Sequence, residues 1–299
     1  MWGSVAACIC YLINSSALAV LGTWSLWYAR LGAPVIEEIA KAAYIFWLFR
    51  KAQVGFMVDA AICGFAAGAG FALVENVADL HLLGGTSLAV WTLRGFGTAM
   101  MHGGTTALVG VSANYAVSMG RTGRIAAFIP GLTLAILIHC AWNMAVLTPL
   151  EASISVLLGL PVVFTIVFIR SEKSLRKWMG DKLDQDIEVL SMISTGRFLE
   201  TNAGLYLRRL SDLLPPPIVG DMLCLLQLSL ELSLRAKGDM IRREAGFPVE
   251  PDPSLDAHFR ELRFLEKSIG IAGRHALDPL LPLGYRDLWE LQLLNERAR

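Results

Sequence analysis

The sequence predicts an all-α protein, a polytopic membrane helix bundle of about six spans with a C-terminal cytoplasmic helical domain. Three observations predict it. Hydrophobic residues make up 55% of the 299-residue chain, and they gather in runs long enough to cross a bilayer, which takes about 20 residues of helix. Charge is distributed in the opposite sense: residues 1–170 hold 8 of the 26 Lys and Arg and 6 of the 26 Asp and Glu. Beyond Arg170 the apolar residues recur at helical spacing among charged ones, as in amphipathic helices.

The first span, about 6–28, lacks a preceding basic segment and a clear cleavage site. It is longer than a signal-peptide core and is expected to be retained. The second, 33–49, is short. The third, 59–79, carries Gly64, Gly68 and Gly70 among alanines, a pattern that lets helix backbones approach closely. Spans four to six cover about 91–117, 125–147 and 152–170. Arg50 and Lys51, Arg121 and Arg124, and the basic residues from Arg170 to Lys177 follow spans two, four and six. By the positive-inside rule that side is cytoplasmic, which puts both termini in the cytoplasm of a multi-pass protein.

The second domain, 171–299, reads as amphipathic helices at 183–193, 198–214, 218–236, 255–269 and 284–294, with breaks at Pro215–Pro217 and at 247–253. The 218–236 segment is apolar, but Asp221, Gln227 and Glu231 argue for a buried helix of a small bundle. Arg235, Lys237, Arg242 and Arg243 read as a solvated face. The domain shows no catalytic motif, and a regulatory or docking role is expected from its position alone. Five scattered cysteines without paired spacing read as small buried hydrophobes. Zero formal net charge says little about partners, and nothing in the sequence suggests nucleic acid; the lipid bilayer is the expected surrounding.

The spans carry ionisable residues that lipid disfavours by about 2.5–3.5 kcal/mol each at a span centre. These are Glu37, Glu38 and Lys41 in span two, Glu75 in span three, Arg94 and His102 in span four, and His139 in span five; Asn76 and Asn143 join them. Alternating topology places Glu38, Glu75, His102 and His139 in one layer, roughly 6–17 Å below the outer surface at the helical rise per residue. Lys41 lies three and four residues from the glutamates, within pairing reach of either. Glutamates, histidines and an asparagine in one layer form the inventory of a hydrolytic site. A proton or cation path in a transporter is the second reading, for which the sequence shows no convincing inverted repeat, and a catalytically silent binding protein is the third.

The residues "EEIAK" at 37–41, "FALVEN" at 71–76, "MHGGTT" at 101–106 and "HCAWN" at 139–143 together resemble PrsW-type intramembrane proteases. These share a superfamily with CAAX prenyl endopeptidases and bacteriocin-processing CPBP proteins. Glu75 stands where the CAAX enzymes usually carry His, which favours the PrsW branch. The resemblance implies an endopeptidase of a bacterial plasma membrane that cuts a membrane-anchored, anti-sigma-factor-like protein near its extracytoplasmic side. It implies Glu38, or else Glu37, as the base that activates water, with Lys41 holding one carboxylate ionised. His102 and His139 would orient the water or bind a metal, Glu75 would pair with a histidine or complete a ligand set, and Asn143 would donate to the developing oxyanion. Glu75, His102 and His139 would suit Zn2+ if a metal is used; no H-E-x-x-H helix is present.

Overall fold

The computed structural model describes residues 1–82, 88–118, 125–249, 252–281 and 285–297, and all regular structure among them is helical. Arg121 and Arg124, which enter the orientation argument, lie outside the described residues. Contacts divide the chain into two compact units, Met1–Lys173 and Ser174–Arg299.

The first unit begins with one long helical run. Helix α1 (Trp2–Leu21) passes through a 3-10 turn and a single α-turn into a π-helical segment, Tyr28–Gly32, and then into α2 (Ala33–Arg50). Helical turns follow one another through Trp2–Arg50, but the run folds back at Gly22 (φ 49°, ψ −114°), so that α1 and α2 lie side by side, with the Trp2 ring stacked on Tyr44 at 5.8 Å and Asn14 bonded to Glu37 at 2.9 Å. Beyond Arg50, Ala52 adopts a left-handed conformation (φ 53°), and the Gln53 N–H bonds back to Leu48 O, closing the helix end. Helix α3 (Met57–Leu82) starts where Asp59 accepts the backbone N–H groups of Gly55 and Phe56 at 3.0 Å each. Helices α4 (Leu88–Ser118), α5 (Ile129–Asn143) and α6 (Pro149–Ser194) follow. The start of α6 is a capping box: Thr148 N–H and hydroxyl donate to Glu151 Oε2, and Glu151 N–H returns to Thr148 Oγ1.

Burial in this unit is inverted relative to a water-soluble core. Glu38, Lys41, His102 and His139 are buried, while Leu12, Val20, Ile62, Leu73, Leu137, Leu158 and Val162 are exposed. That is the arrangement expected where the surrounding solvent is lipid. Packing relies on glycine contacts. A Cβ at Gly68 would lie 2.0 Å from His102 O, one at Gly64 2.7 Å from Ala107 Cα, and one at Gly3 2.0 Å from Ala67 O. Helix α3 is thereby pressed against α4 on one side and α1 on the other, as its small-residue pattern predicts. Gly70 makes no such approach.

Five helical stretches among the described residues are long and apolar enough to cross a membrane: Trp2–Arg50, Met57–Ala78, Ala126–Asn143, Leu150–Ser194 and Pro216–Arg243. They do not map one to one onto the six expected spans. The first holds both of the first two expected spans, folded back on each other at Gly22, and α4, whose 31 residues include His102, Thr105, Thr106 and Asn114, is not among the five.

In the second unit, α7 (Asn202–Leu210), α8 (Pro216–Glu244), α9 (Leu255–Leu277) and α10 (Tyr285–Arg297) enclose an apolar core. Met222, Leu226 and Leu232 of α8 are buried there with Leu207, Phe259 and Leu294. Lys237 departs from the solvated face expected of it. It is fully buried and bonds Asp186 and Glu290 at 2.9 Å each, with Ser233 Oγ at 2.5 Å. A helix inside a bundle presents polar side chains inward wherever a neighbour can neutralise them.

Candidate active site

The chemistry-bearing side chains come from α2, α3, α4 and α5, and they meet. Glu38 and Lys41, three apart on α2, form an ion pair at 2.6 Å with both side chains excluded from solvent. Lys41 Nζ also lies 2.7 Å from His102 Nδ1 of α4. The other nitrogen of that ring, Nε2, lies 2.6 Å from Glu75 Oε2 of α3. His139 of α5 reaches Glu38 Oε1 through Nδ1 at 2.9 Å, and its Nε2 lies 3.7 Å from Glu37 Oε2. The two imidazoles stand edge to face, 4.7 Å between centroids, and Phe71 seats Lys41 Nζ over its ring at 4.9 Å.

An ammonium only donates, so His102 Nδ1 accepts from Lys41 and the ring proton sits on Nε2, shared with Glu75. On the same accounting, ionised Glu38 accepts from His139 Nδ1–H, and the lone pair of His139 is on Nε2, facing Glu37. Glu38 Oε1 thus carries Lys41 and His139, with Thr105 Oγ1 at 3.4 Å. Glu38 Oε2 and Glu37 Oε2 are buried without a hydrogen-bond partner.

The two glutamates differ in setting. Glu38 is fully buried. Glu37 keeps 13% of its side chain exposed and lines a cavity of about 550 Å³ with Cys10, Asn14, Phe71, Glu75 and Ala78, between α1 and α3. Asn14 and Tyr28, absent from the sequence expectations, join the network. Asn14 Nδ2 donates to Glu37 Oε1 at 2.9 Å and Tyr28 OH donates to Asn14 Oδ1 at 2.8 Å. Their sequence signal is weak: Asn14 is one amide in an apolar helix, and Tyr28 sits at a span end.

Among the described residues, the group whose ligand atoms all lie within 4.8 Å of one another is Glu37, His102 and His139. Of the two roles expected of Glu75, pairing with a histidine or completing a ligand set, it takes the first, at 2.6 Å from His102 Nε2, and stands outside that group. Asn143, which shares a helix with His139, has its amide on Ala29 O of the π-helical segment at 3.2 Å; it bonds none of the clustered carboxylates or imidazoles. Asn76 likewise serves the backbone, donating to Gly95 O at 2.8 Å.

A family model for PrsW family intramembrane metalloproteases matches residues 1–170. The chain belongs to this family. All the residues that meet at the PrsW site lie within the matched segment, and with its apolar helices the chain is an integral membrane protein of a protease family. No curated protein and no solved structure matches it.

The family description implies a metal, and the donors can be tested against one. His139 fits: its Nδ1–H is held by a carboxylate, the arrangement that orients a ligating imidazole and frees the other nitrogen. Glu37 fits, with an unpartnered buried oxygen facing that nitrogen. His102 fits on condition that Lys41 gives up Nδ1, since its Nε2–H is held by Glu75 as the Nδ1–H of His139 is held by Glu38.

Proposed function

We propose that this PrsW protein is an endopeptidase that hydrolyses a peptide bond of a membrane-anchored protein with a glutamate-activated water. The observation that carries the reading is the convergence of four helices on Glu37, which lines a cavity and whose unpartnered Oε2 lies 3.7 Å from His139 Nε2. A gap of 3.7 Å between an acceptor and a ring nitrogen suits a bridging water. Glu37 takes the proton as that water attacks the scissile carbonyl and returns it to the leaving amine, a role worth about 100- to 10,000-fold in rate.

Glu38 is assigned a positioning role instead. Tied to Lys41 and His139, it fixes the imidazole that orients the water. Lys41 and Glu75 together hold His102 in one tautomer at the edge of the same space.

A metal-dependent version of the reaction is favoured by the donor set. Glu37, His102 and His139 would hold the ion, which when bound supplies Lewis-acid polarisation of water and carbonyl. In both versions Glu37 Oε2 is the atom that must be correctly aimed.

The cut near the extracytoplasmic side, the anti-sigma-factor-like substrate, a bacterial plasma membrane, cytoplasmic termini and a regulatory role for Ser174–Arg299 follow from the sequence reading and stand as parts of this proposal. The direct test incubates the purified chain in liposomes with a single-span peptide in isotope-labelled water. Hydrolysis puts one labelled oxygen in the new carboxyl terminus; a transporter or silent relative leaves the peptide whole.

A further inference from the structure

Glu37 would be a poor water-binding group if its carboxylate turned freely in the cavity. The structure holds it from one side. A carboxylate only accepts hydrogen bonds, so the amide nitrogen of Asn14 must face Glu37, and the amide oxygen is then left to accept from Tyr28. Both distances fit, 2.9 Å for Asn14 Nδ2 to Glu37 Oε1 and 2.8 Å for Tyr28 OH to Asn14 Oδ1.

The backbone beneath Tyr28 is unusual. Tyr28–Gly32 is π-helical and joins the end of the first span to the start of the glutamate helix, and π-turns inside helices recur at functional sites. Gly32 has an ordinary helical φ of −75°, so its lack of a side chain serves another purpose. A Cβ there would lie 2.6 Å from Tyr28 Cδ2 and 2.9 Å from Cε2. The missing atom is the space that the Tyr28 ring occupies. Asn143 braces the next residue of the same turn through Ala29 O at 3.2 Å.

We infer that Asn14 and Tyr28 are positioning residues for the hydrolysis, locking Glu37 Oε1 so that Oε2 is presented to His139. This rests on the reading of Glu37 as the water-binding carboxylate. Gly32 and Asn143 keep the π-turn in the shape that lets the tyrosine reach.

The test uses the full chain in liposomes and a quenched-fluorescent single-span peptide that the wild type cleaves. Tyr28→Phe removes one oxygen atom and leaves the ring in place. Tyr28→Phe and Asn14→Ala are each expected to lower kcat about 10- to 100-fold, the usual cost of losing an orienting partner, with KM unchanged. Tyrosine acts only through the amide, so the double variant falls no lower than Asn14→Ala alone, and Tyr28→Phe has no further effect in a Glu37→Gln background. Wild-type kcat in Tyr28→Phe and Asn14→Ala overturns the inference, as do losses that multiply in the double variant. Where Asn14→Ala fails to fold, Tyr28→Phe decides. Glu37→Gln run alongside separates the two levels. A fully active Glu37→Gln removes the functional reading and this inference with it, whereas an inactive Glu37→Gln beside fully active Tyr28→Phe and Asn14→Ala removes only the positioning role.

Discussion

Lys41 Nζ stands 2.7 Å from His102 Nδ1 and 2.6 Å from Glu38 Oε1, with all three side chains sealed from solvent. One cation therefore serves two elements of the site, neutralising a carboxylate on its own helix and fixing the tautomer of an imidazole on another. Breaking a buried ion pair by removing one partner costs about 3–5 kcal/mol, because the remaining charge is stranded. Lys41→Met is expected to lower stability in detergent by that order, read as a drop in unfolding midpoint, and to abolish cleavage. Adding Glu38→Gln removes the stranded charge and is expected to restore most of the stability and none of the activity.

Gly68 and Gly70 lie two residues apart on α3 and should respond differently to the same methyl group. At Gly68 it meets His102 O at 2.0 Å; at Gly70 the nearest atom is 3.8 Å away. Gly68→Ala must push α4 and the His102 backbone outward, an overpacking cost of about 1–3 kcal/mol. It is expected to lower both thermal stability and cleavage rate, while Gly70→Ala matches the wild type in both measurements.

Much of this site is legible in the sequence, for a physical reason. Charges inside apolar runs are costly, so Glu37, Glu38, Lys41, Glu75, His102 and His139 stand out and must find one another. What periodicity does not supply is helix rotation about its axis. That rotation decides that Glu37, not Glu75, shares a space with both imidazoles, and that Asn143 meets a backbone carbonyl. Asn14 and Tyr28 are uncharged, and one amide in an apolar helix and a tyrosine at a span end are both unremarkable; the reversal at Gly22, which lays α1 beside α2, brings them to Glu37. The π-helical turn at Tyr28–Gly32 escapes hydropathy for a related reason, since it depends on backbone geometry.

The donor set makes a claim about composition. Purified protein dialysed against Zn2+ is expected to retain about one ion per chain by elemental analysis, following the three-donor pattern of catalytic zinc sites. Glu37→Gln and His139→Ala should lose it. Glu75→Gln, which touches His102 but not the donor cluster, should retain it with affinity weaker by about 10- to 100-fold. Equal loss in Glu75→Gln and Glu37→Gln would return Glu75 to the ligand set.

The second unit carries its own pH dependence. Burial pushes the Glu290 carboxyl up to about 7 against the opposing pull of Lys237 and Ser233. The folded chain then binds a proton that the unfolded chain, with an ordinary value of 4.5, has released. Stability contributed at this position is full below about 4.5, falls as pH rises toward 7, and is level beyond. Glu290→Gln cannot titrate, so the wild-type minus variant difference in denaturant midpoint should follow that slope and flatten above neutrality. A difference that is constant across the range would contradict it.

The central claim is that Glu37, held by one oxygen, offers the other to the attacking water. The most direct measurement is the cleavage rate of a single-span peptide by Glu37→Gln in liposomes, beside wild type, with unfolding midpoints matched. The account predicts a loss of about 100- to 10,000-fold in a folded protein. Cleavage by Glu37→Gln at the wild-type rate would contradict it.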